Sequence, residues 1–142
     1  MQEMVAKGPS AYDALIVYES VAIDYLKKAE GRWDHLYVVY PKHNLWNDNP
    51  YCILKTPWTT PAHQKAADTF LKFLMSAPAQ EAALDHGFRP GNTEVTIRGP
   101  GSPFVRYASF GLSVDIPAVC EVPSADVLEN LGESWRRSAT PR

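Results

Sequence analysis

Apolar residues follow one another without interruption in three short stretches of the chain. These stretches are 14–18, 36–40 and 51–54, and they are bounded mainly by charged residues and proline. Apolar runs of this length, partly β-branched or aromatic, are typical of strands that are buried on both faces of a sheet. A helical pattern separates the first two runs within about 30 residues, as in a βαβ unit, so the sequence predicts an α/β fold.

A second pattern, with apolar residues every three or four positions, predicts amphipathic helices. Its clearest example has Thr60 as a suitable N-cap and Pro61 at the first helical position. Gly31 and Gly87 stand where two of the helices should stop, because glycine tolerates the left-handed backbone of a helix C-terminus. The predicted helices are 20–30, a long one from Pro61 to the break at Ser76-Ala77-Pro78, 79–86, and 124–137.

Weaker signals lie outside these elements. Residues 4–6 resemble the tail of a helix that stops at Gly8-Pro9. Because the chain opens on the end of an element, we expect it to be part of a longer protein. Residues 89–103 are rich in glycine and proline, which predicts a loop. Apolar residues alternate with other residues over 105–114, which predicts an additional strand.

Composition excludes several classes of function. The chain has 142 residues, the size of one ordinary domain, and 45% of them are hydrophobic, so intrinsic disorder is not expected. Its formal net charge is −2, which lacks the basic footprint of a nucleic-acid-binding protein. The sequence contains no long uncharged apolar run, so no membrane span is predicted.

The motifs of catalysis and of metal binding are missing from the sequence. No Gly-x-Ser-x-Gly elbow or phosphate-binding glycine loop is present, so we expect neither an enzyme nor a cofactor. The histidines lack the close spacing that metal ligands require, so no metal site is predicted. Two cysteines, Cys52 and Cys120, can pair only if the fold brings them together. The histidines are His35, His43, His63 and His86.

The end of the first predicted strand is a candidate binding site. In open α/β sheets, ligands bind outside the carboxyl ends of the strands, where the following helices point their N-termini. Tyr18, Glu19 and Ser20 occupy this position and offer a phenol, a carboxylate and a hydroxyl beside unpaired backbone N–H groups. The alternative interpretation is that Tyr18 belongs to the core and that Glu19 or Ser20 merely caps the helix.

A polar loop before the third predicted strand supplies further candidates. Trp46 and Asn49 lie in this loop, and we expect the tryptophan to be exposed. An aromatic ring and an amide could form one wall of a solute site. Packing in a core or hinge is the alternative for the aromatic residues of this region.

Several motifs, in this order, resemble those of one protein family. They are 10–20 (SAYDALIVYES), 49–54 (NPYCIL), 66–76 with the following Ala79-Gln80, and 87–90 (GFRP). The chain resembles bacterial extracellular solute-binding proteins of the type II periplasmic-binding superfamily, of the molybdate-, sulfate- and phosphate-binding type. A last motif, from Pro123-Ser124 to Trp135, resembles the terminal helix of such domains when they accompany von Willebrand A-type modules.

The resemblance implies a periplasmic-binding-protein-like II fold, with parts of two three-layer αβα lobes. Residues 1–142 would form the C-terminal portion of a two-lobed solute-binding domain. The strand and helix of 13–30 would belong to one lobe, and the return strand near 51–54 with the helices of 60–86 to the other. The terminal helix of 124–137 would follow.

The resemblance also implies a function without catalysis. Two lobes would close about a hinge around a small solute, an oxyanion or another small polar molecule, for a membrane transporter or sensor. Transporter components or a von Willebrand A-type module would be its partners, and its location would be periplasmic or extracellular. Tyr18 matches the tyrosine that faces the cleft in this family. Glu19 departs from the anion-binding pattern of the family. A carboxylate at this position would repel an oxyanion, so a neutral or cationic solute stays an alternative.

Two other classes of function remain open. The chain could be a protein-interaction or scaffolding module with a vestigial cleft, or an enzyme, since related two-lobed folds include deaminases. A half-domain would also expose unpaired strand edges, so we expect a homodimer that exchanges the segment 89–122.

Overall fold

The computed structural model describes residues 2–32 and 36–139, and the described chain is built mainly from helices. Two compact units can be distinguished, one formed by Met1–Val39 with Asn49–Asp115 and one by Tyr40–Asp48 with Ile116–Arg142. The helices are α1 (Gln2–Lys7), α2 (Glu19–Ala29), α3 (Pro61–Leu74), α4 (Ala77–Asp85), α5 (Pro103–Arg106) and α6 (Ala125–Ala139), and short 3₁₀ turns cover Gly8–Ser10 and Ala108–Phe110.

The helix predicted behind the first apolar run is confirmed as α2, which begins one residue earlier than expected. Its last turn carries Lys27 and Lys28, whose positive charges suit the negative end of the helix dipole. Gly31 follows the helix with a φ of 74°, a left-handed conformation that glycine adopts without strain. The helical tail predicted at 4–6 is also confirmed, as part of α1.

Helix α3 begins where its capping residues predict. The Thr60 Oγ1 accepts a hydrogen bond from the backbone N–H of His63 at 3.2 Å, and the Thr60 N–H donates to His63 Nδ1 at 3.4 Å. This capping box stabilises the first turn because it satisfies two backbone donors that lack helical partners. Helix α4 begins at Ala77, two residues before the predicted start. The terminal helix predicted at 124–137 is confirmed as α6.

The core of the first unit lies along one face of α2. Ile23, Tyr25, Leu26 and Ala29 are buried there, at the spacing that places them on one side of the helix. Tyr25 packs against Met4 of α1, and its hydroxyl donates a hydrogen bond to the Met4 carbonyl oxygen at 3.3 Å. The short first helix is therefore held to α2 by apolar packing and by one buried hydrogen bond.

The C-terminus of α4 approaches the beginning of α2 closely at Gly87. A Cβ atom at this position would lie 2.9 Å from Ser20 Cα and 2.9 Å from Ile23 Cδ1. The φ of Gly87 is 83°, which side-chain-bearing residues rarely adopt. Leu84, one turn earlier, is buried. The end of α4 thus fixes the position of the first turns of α2.

The three apolar runs differ from their predicted conformation. In the described residues, no strand forms at 14–18, 36–40 or 51–54. A strand must satisfy its backbone groups on a neighbour, but no strand ladder is assigned to the described residues of these runs. In the second run, the Val38 N–H donates to the Phe110 carbonyl oxygen at 2.7 Å. The α/β fold and its division into lobes therefore stay predictions.

The additional strand predicted over 105–114 is wrong. Helix α5 and the second 3₁₀ turn occupy half of this segment, 105–106 and 108–110. Phe104 and Tyr107 are both buried, and one helical turn places residues three positions apart on the same side. Alternation in the sequence was misleading because the segment forms short helical turns and not a strand. The exchange of an exposed strand between two copies loses its basis.

The second unit contains the one β pairing found in the described residues, a parallel bridge between Asn44 and Val119. The Asn44 N–H donates to the Ala118 carbonyl oxygen at 2.9 Å, and the Cys120 N–H donates to the Asn44 carbonyl oxygen at 2.8 Å. Helix α6 completes this unit. Within the described part of the chain, no helix has the length and apolar character that a membrane crossing requires.

Candidate functional site

The candidate site begins at the N-terminus of α2. Tyr18 is the N-cap residue, and its carbonyl oxygen accepts hydrogen bonds from the N–H groups of Val21 at 3.1 Å and Ala22 at 3.0 Å. Its side chain is 64% exposed, so Tyr18 is not a core residue of the first unit. Glu19 and Ser20 are the first two residues of the helix, and neither occupies the N-cap position.

An open groove of about 450 Å³ lies beside this tyrosine. Ile16, Val17, Tyr18 and Val21 line it, so its wall is largely apolar and carries one phenol group. A hollow of this size can hold a small molecule, and a few polar groups on an apolar wall are typical of solute sites. The groove thus combines an apolar surface with the Tyr18 hydroxyl and the positive end of α2.

The carboxylate of Glu19 forms a two-pronged ion pair with Arg89. The Arg89 Nε donates to Glu19 Oε2 at 2.8 Å, and the Arg89 Nη2 donates to Glu19 Oε1 at 2.7 Å. The two side chains are only 16% and 23% exposed, Arg89 being the more buried. Such bidentate pairs are stronger and more directional than single contacts. Glu19 is therefore held in one orientation and its charge is compensated.

Arg89 also joins the start of α2 to the segment behind α5. Its Nη1 donates to the Val114 carbonyl oxygen at 2.6 Å and its Nη2 to the Ser113 carbonyl oxygen at 2.8 Å. The guanidinium carbon lies 4.7 Å from the ring centre of the fully buried Phe104. A guanidinium on an aromatic face adds a cation–π contribution to these hydrogen bonds. Arg89 is the centre of a polar network at the base of the candidate site.

The family model of bacterial extracellular solute-binding proteins matches residues 2–105 of the chain. This chain belongs to that family. Its general role is therefore the binding of a small solute outside the cytoplasm for transport, and families of this kind are generally not enzymes. No curated protein and no solved structure matches the chain.

Within this solute-binding protein, the five predicted site residues lie in three places. Tyr18, Glu19 and Ser20 lie together at the start of α2. Asn49 is exposed in the first unit, and none of the described hydrogen bonds links it to that helix. Trp46 is 51% exposed, as expected, but it lies in the second unit. The solute contacts of all five stay predictions.

Sequence reasoning missed the part that Arg89 plays in this solute-binding protein. The residue belongs to the Gly87–Pro90 motif that supported the resemblance, so a signal was present. Its partner, however, stands 70 positions earlier in the chain. No periodicity or local motif connects residues so far apart.

The residue types that ligate metals are dispersed in the described part of the chain. No three histidine, cysteine or acidic side chains come together there as a metal site would need. His35 lies outside the described residues. Cys52 and Cys120 are both exposed free thiols.

Proposed function

We propose that this chain binds a small oxyanion or another small polar solute in the groove beside Tyr18. The solute would be enclosed when two lobes of the complete binding domain close about a hinge, and it would then be delivered to a membrane transporter or a sensor. The observation that carries this proposal is the exposed Tyr18 phenol at the N-terminus of α2, beside the groove. Family membership supplies the general role.

The groups around the groove suit a polar solute of neutral or negative charge. The Tyr18 hydroxyl can donate a hydrogen bond, and the Ser20 hydroxyl can donate or accept one. The first turn of α2 adds backbone N–H groups and a partial positive charge, which favour an anionic oxygen. The apolar side chains of Ile16 and Val17 would cover the remaining surface of the solute.

The ion pair of Glu19 removes the main objection to an anion. The sequence alone places a carboxylate at the start of α2, and that carboxylate would repel an oxyanion. In the structure, Arg89 compensates this charge with two hydrogen bonds at 2.7 and 2.8 Å. An oxyanion near Tyr18 would therefore meet a neutral pair, which supports the molybdate-, sulfate- or phosphate-binding type.

The α/β fold of the complete domain is part of the same proposal. The apolar run 14–18 is exposed in the described structure, and Ile16 reaches 104% relative exposure. Val39 in the second run is 83% exposed. Exposed apolar side chains in extended runs of this kind favour addition to a sheet. We therefore propose that these runs pair with strands supplied by the rest of a two-lobed domain.

The direct test is a comparison of Tyr18→Phe with Tyr37→Phe. Both tyrosines belong to the first unit, and their side chains are 64% and 65% exposed. A thermal-shift screen against molybdate, sulfate, glucose and glycine would first identify a solute. Calorimetry should then show about 10- to 150-fold weaker binding for Tyr18→Phe, the loss of one hydrogen bond to a charged group.

Two results would contradict this function. Unchanged affinity in Tyr18→Phe, with Tyr37→Phe equally unchanged, would remove Tyr18 from the site. No thermal shift with any solute would favour the alternative, a protein-interaction module with a vestigial cleft. The Tyr37→Phe control excludes a general effect of losing an exposed phenol.

A further inference from the structure

We propose that Arg89 sets the charge preference of the solute site by holding Glu19 in a neutral pair. The inference rests on the proposed function, because it concerns the same groove. Arg89 is thus a positioning residue, which acts on the solute through Glu19 and the first turn of α2. The site accordingly takes anionic or neutral solutes and discriminates against cations.

The Glu19 carboxylate cannot turn toward a solute in the groove without losing its hydrogen bonds to Arg89. Both of its oxygens accept from Arg89, at 2.7 and 2.8 Å. Turning the carboxylate toward a cation in the groove would break two charge-assisted hydrogen bonds at a largely buried site. It would also leave the Arg89 charge uncompensated, which is costly where water is scarce.

Arg89 itself is fixed from three other sides. Two carbonyl oxygens, of Ser113 and Val114, accept from its guanidinium, and the Phe104 ring lies beneath it. Arginine is suited to this role because its planar fork donates in several fixed directions at once. The guanidinium therefore stays in place and defines where the Glu19 carboxylate must lie.

Tyr18 is the neighbour of this ion pair in the chain. Glu19 follows Tyr18 directly, and Gly87 of the Arg89 segment lies against Ser20. Without Arg89, the negative charge of Glu19 would lose this ion pair in the first turn of α2, one residue from the tyrosine of the groove. That charge would attract a cation and repel an oxyanion. Removal of both charges would restore a neutral site.

The experiment measures the binding of two probes, molybdate and putrescine, by calorimetry. Arg89→Gln should lower the ratio of molybdate to putrescine affinity by about tenfold or more, the effect of roughly one uncompensated charge nearby. The double variant Glu19→Gln/Arg89→Gln should return the ratio to that of the unaltered chain. Arg98→Gln is the matched control, because it breaks the exposed ion pair between Arg98 and Asp115 and should leave the ratio unchanged.

A second measurement separates this inference from the proposed function. The N–H groups of Val21 and Ala22 bond to the Tyr18 carbonyl oxygen and report on the first turn of α2. Their hydrogen exchange should become about tenfold faster in Arg89→Gln and stay unchanged in Arg98→Gln. If the unaltered chain binds neither probe and none of the solutes in the screen, the proposed function is overturned. The exchange rates would still decide whether Arg89 positions the first turn of α2.

Three outcomes would overturn the inference itself. An equal loss of affinity for both probes, in Arg89→Gln and in the double variant, would show that Arg89 has only a structural role. An unchanged affinity ratio in a folded Arg89→Gln would show that the pair has no influence on charge preference. Unchanged exchange of Val21 and Ala22 would show that Arg89 does not position the helix start.

Discussion

Substitution of Gly87 by alanine tests the contact on which the geometry of the candidate site depends. The added Cβ would lie 2.9 Å from Ser20 Cα, a backbone atom that cannot turn aside as a flexible side chain would. It would lie equally close to Ile23 Cδ1, whose side chain is fully buried. The glycine also has a φ of 83°, which disfavours any residue with a Cβ.

These two effects give the expected size of the loss in stability. The left-handed backbone costs alanine about 1–2 kcal/mol. Overpacking against a fixed backbone adds roughly 1–3 kcal/mol. Gly87→Ala should therefore lower the free energy of unfolding by about 2–5 kcal/mol, a large share of the 5–15 kcal/mol typical of natural domains.

Gly31→Ala is the matched control, because Gly31 also follows a helix C-terminus in a left-handed conformation. Its φ is 74°, and no described atom lies within 4 Å of a Cβ built there. Alanine at this site should cost only the conformational part, about 1–2 kcal/mol. The lower entropy of the unfolded chain is common to both variants and cancels in the difference.

The assay is denaturant unfolding followed by circular dichroism, with the m-value checked for each variant. Gly87→Ala should be less stable than Gly31→Ala by roughly 1–3 kcal/mol, the overpacking part alone. Equal losses in the two variants, with unchanged m-values, would refute the close approach of α4 to the start of α2. The positioning of Tyr18 by this contact would then have to be abandoned.

Two other predictions concern buried groups of the first unit. Burial raises the pKa of Tyr25 above its usual value near 10. The neutral phenol therefore stabilises the fold below pH 10, and this contribution is lost as the pH rises further. Alkaline unfolding should begin at higher pH in Tyr25→Phe, and an unchanged midpoint of alkaline unfolding would contradict this. The buried Ser102 Oγ has no hydrogen-bond partner in the described structure, so Ser102→Ala should raise the free energy of unfolding by about 1 kcal/mol, and a loss of stability in thermal unfolding would disprove it.

The longer helices of this protein could be predicted because their signals are local. Thr60 and Pro61 mark the start of α3, and the capping box forms within four residues. Gly31 marks the end of α2 for an equally local reason, its tolerance of a positive φ. Boundaries moved by one or two residues, as at Ala77, because a proline is accepted within the first turn of a helix.

The strand predictions failed to find support because a strand is not a local structure. Its backbone groups need a partner at the right distance, and apolar character alone does not provide one. The run 36–40 shows this, since Val38 bonds to Phe110 and no strand is assigned to the run. The strand prediction for 105–114 failed differently, because this segment contains short helical turns, which bury Tyr107.

The sequence by itself determined the longer helices, the family motifs and the position of Tyr18 before a helix. It also determined that a carboxylate, Glu19, stands at the start of that helix. Only the tertiary structure decided what this carboxylate does, because its partner Arg89 is brought to it across 70 positions of the chain. The physical reason is that charge compensation depends on distance in space, which a pattern along the chain does not contain.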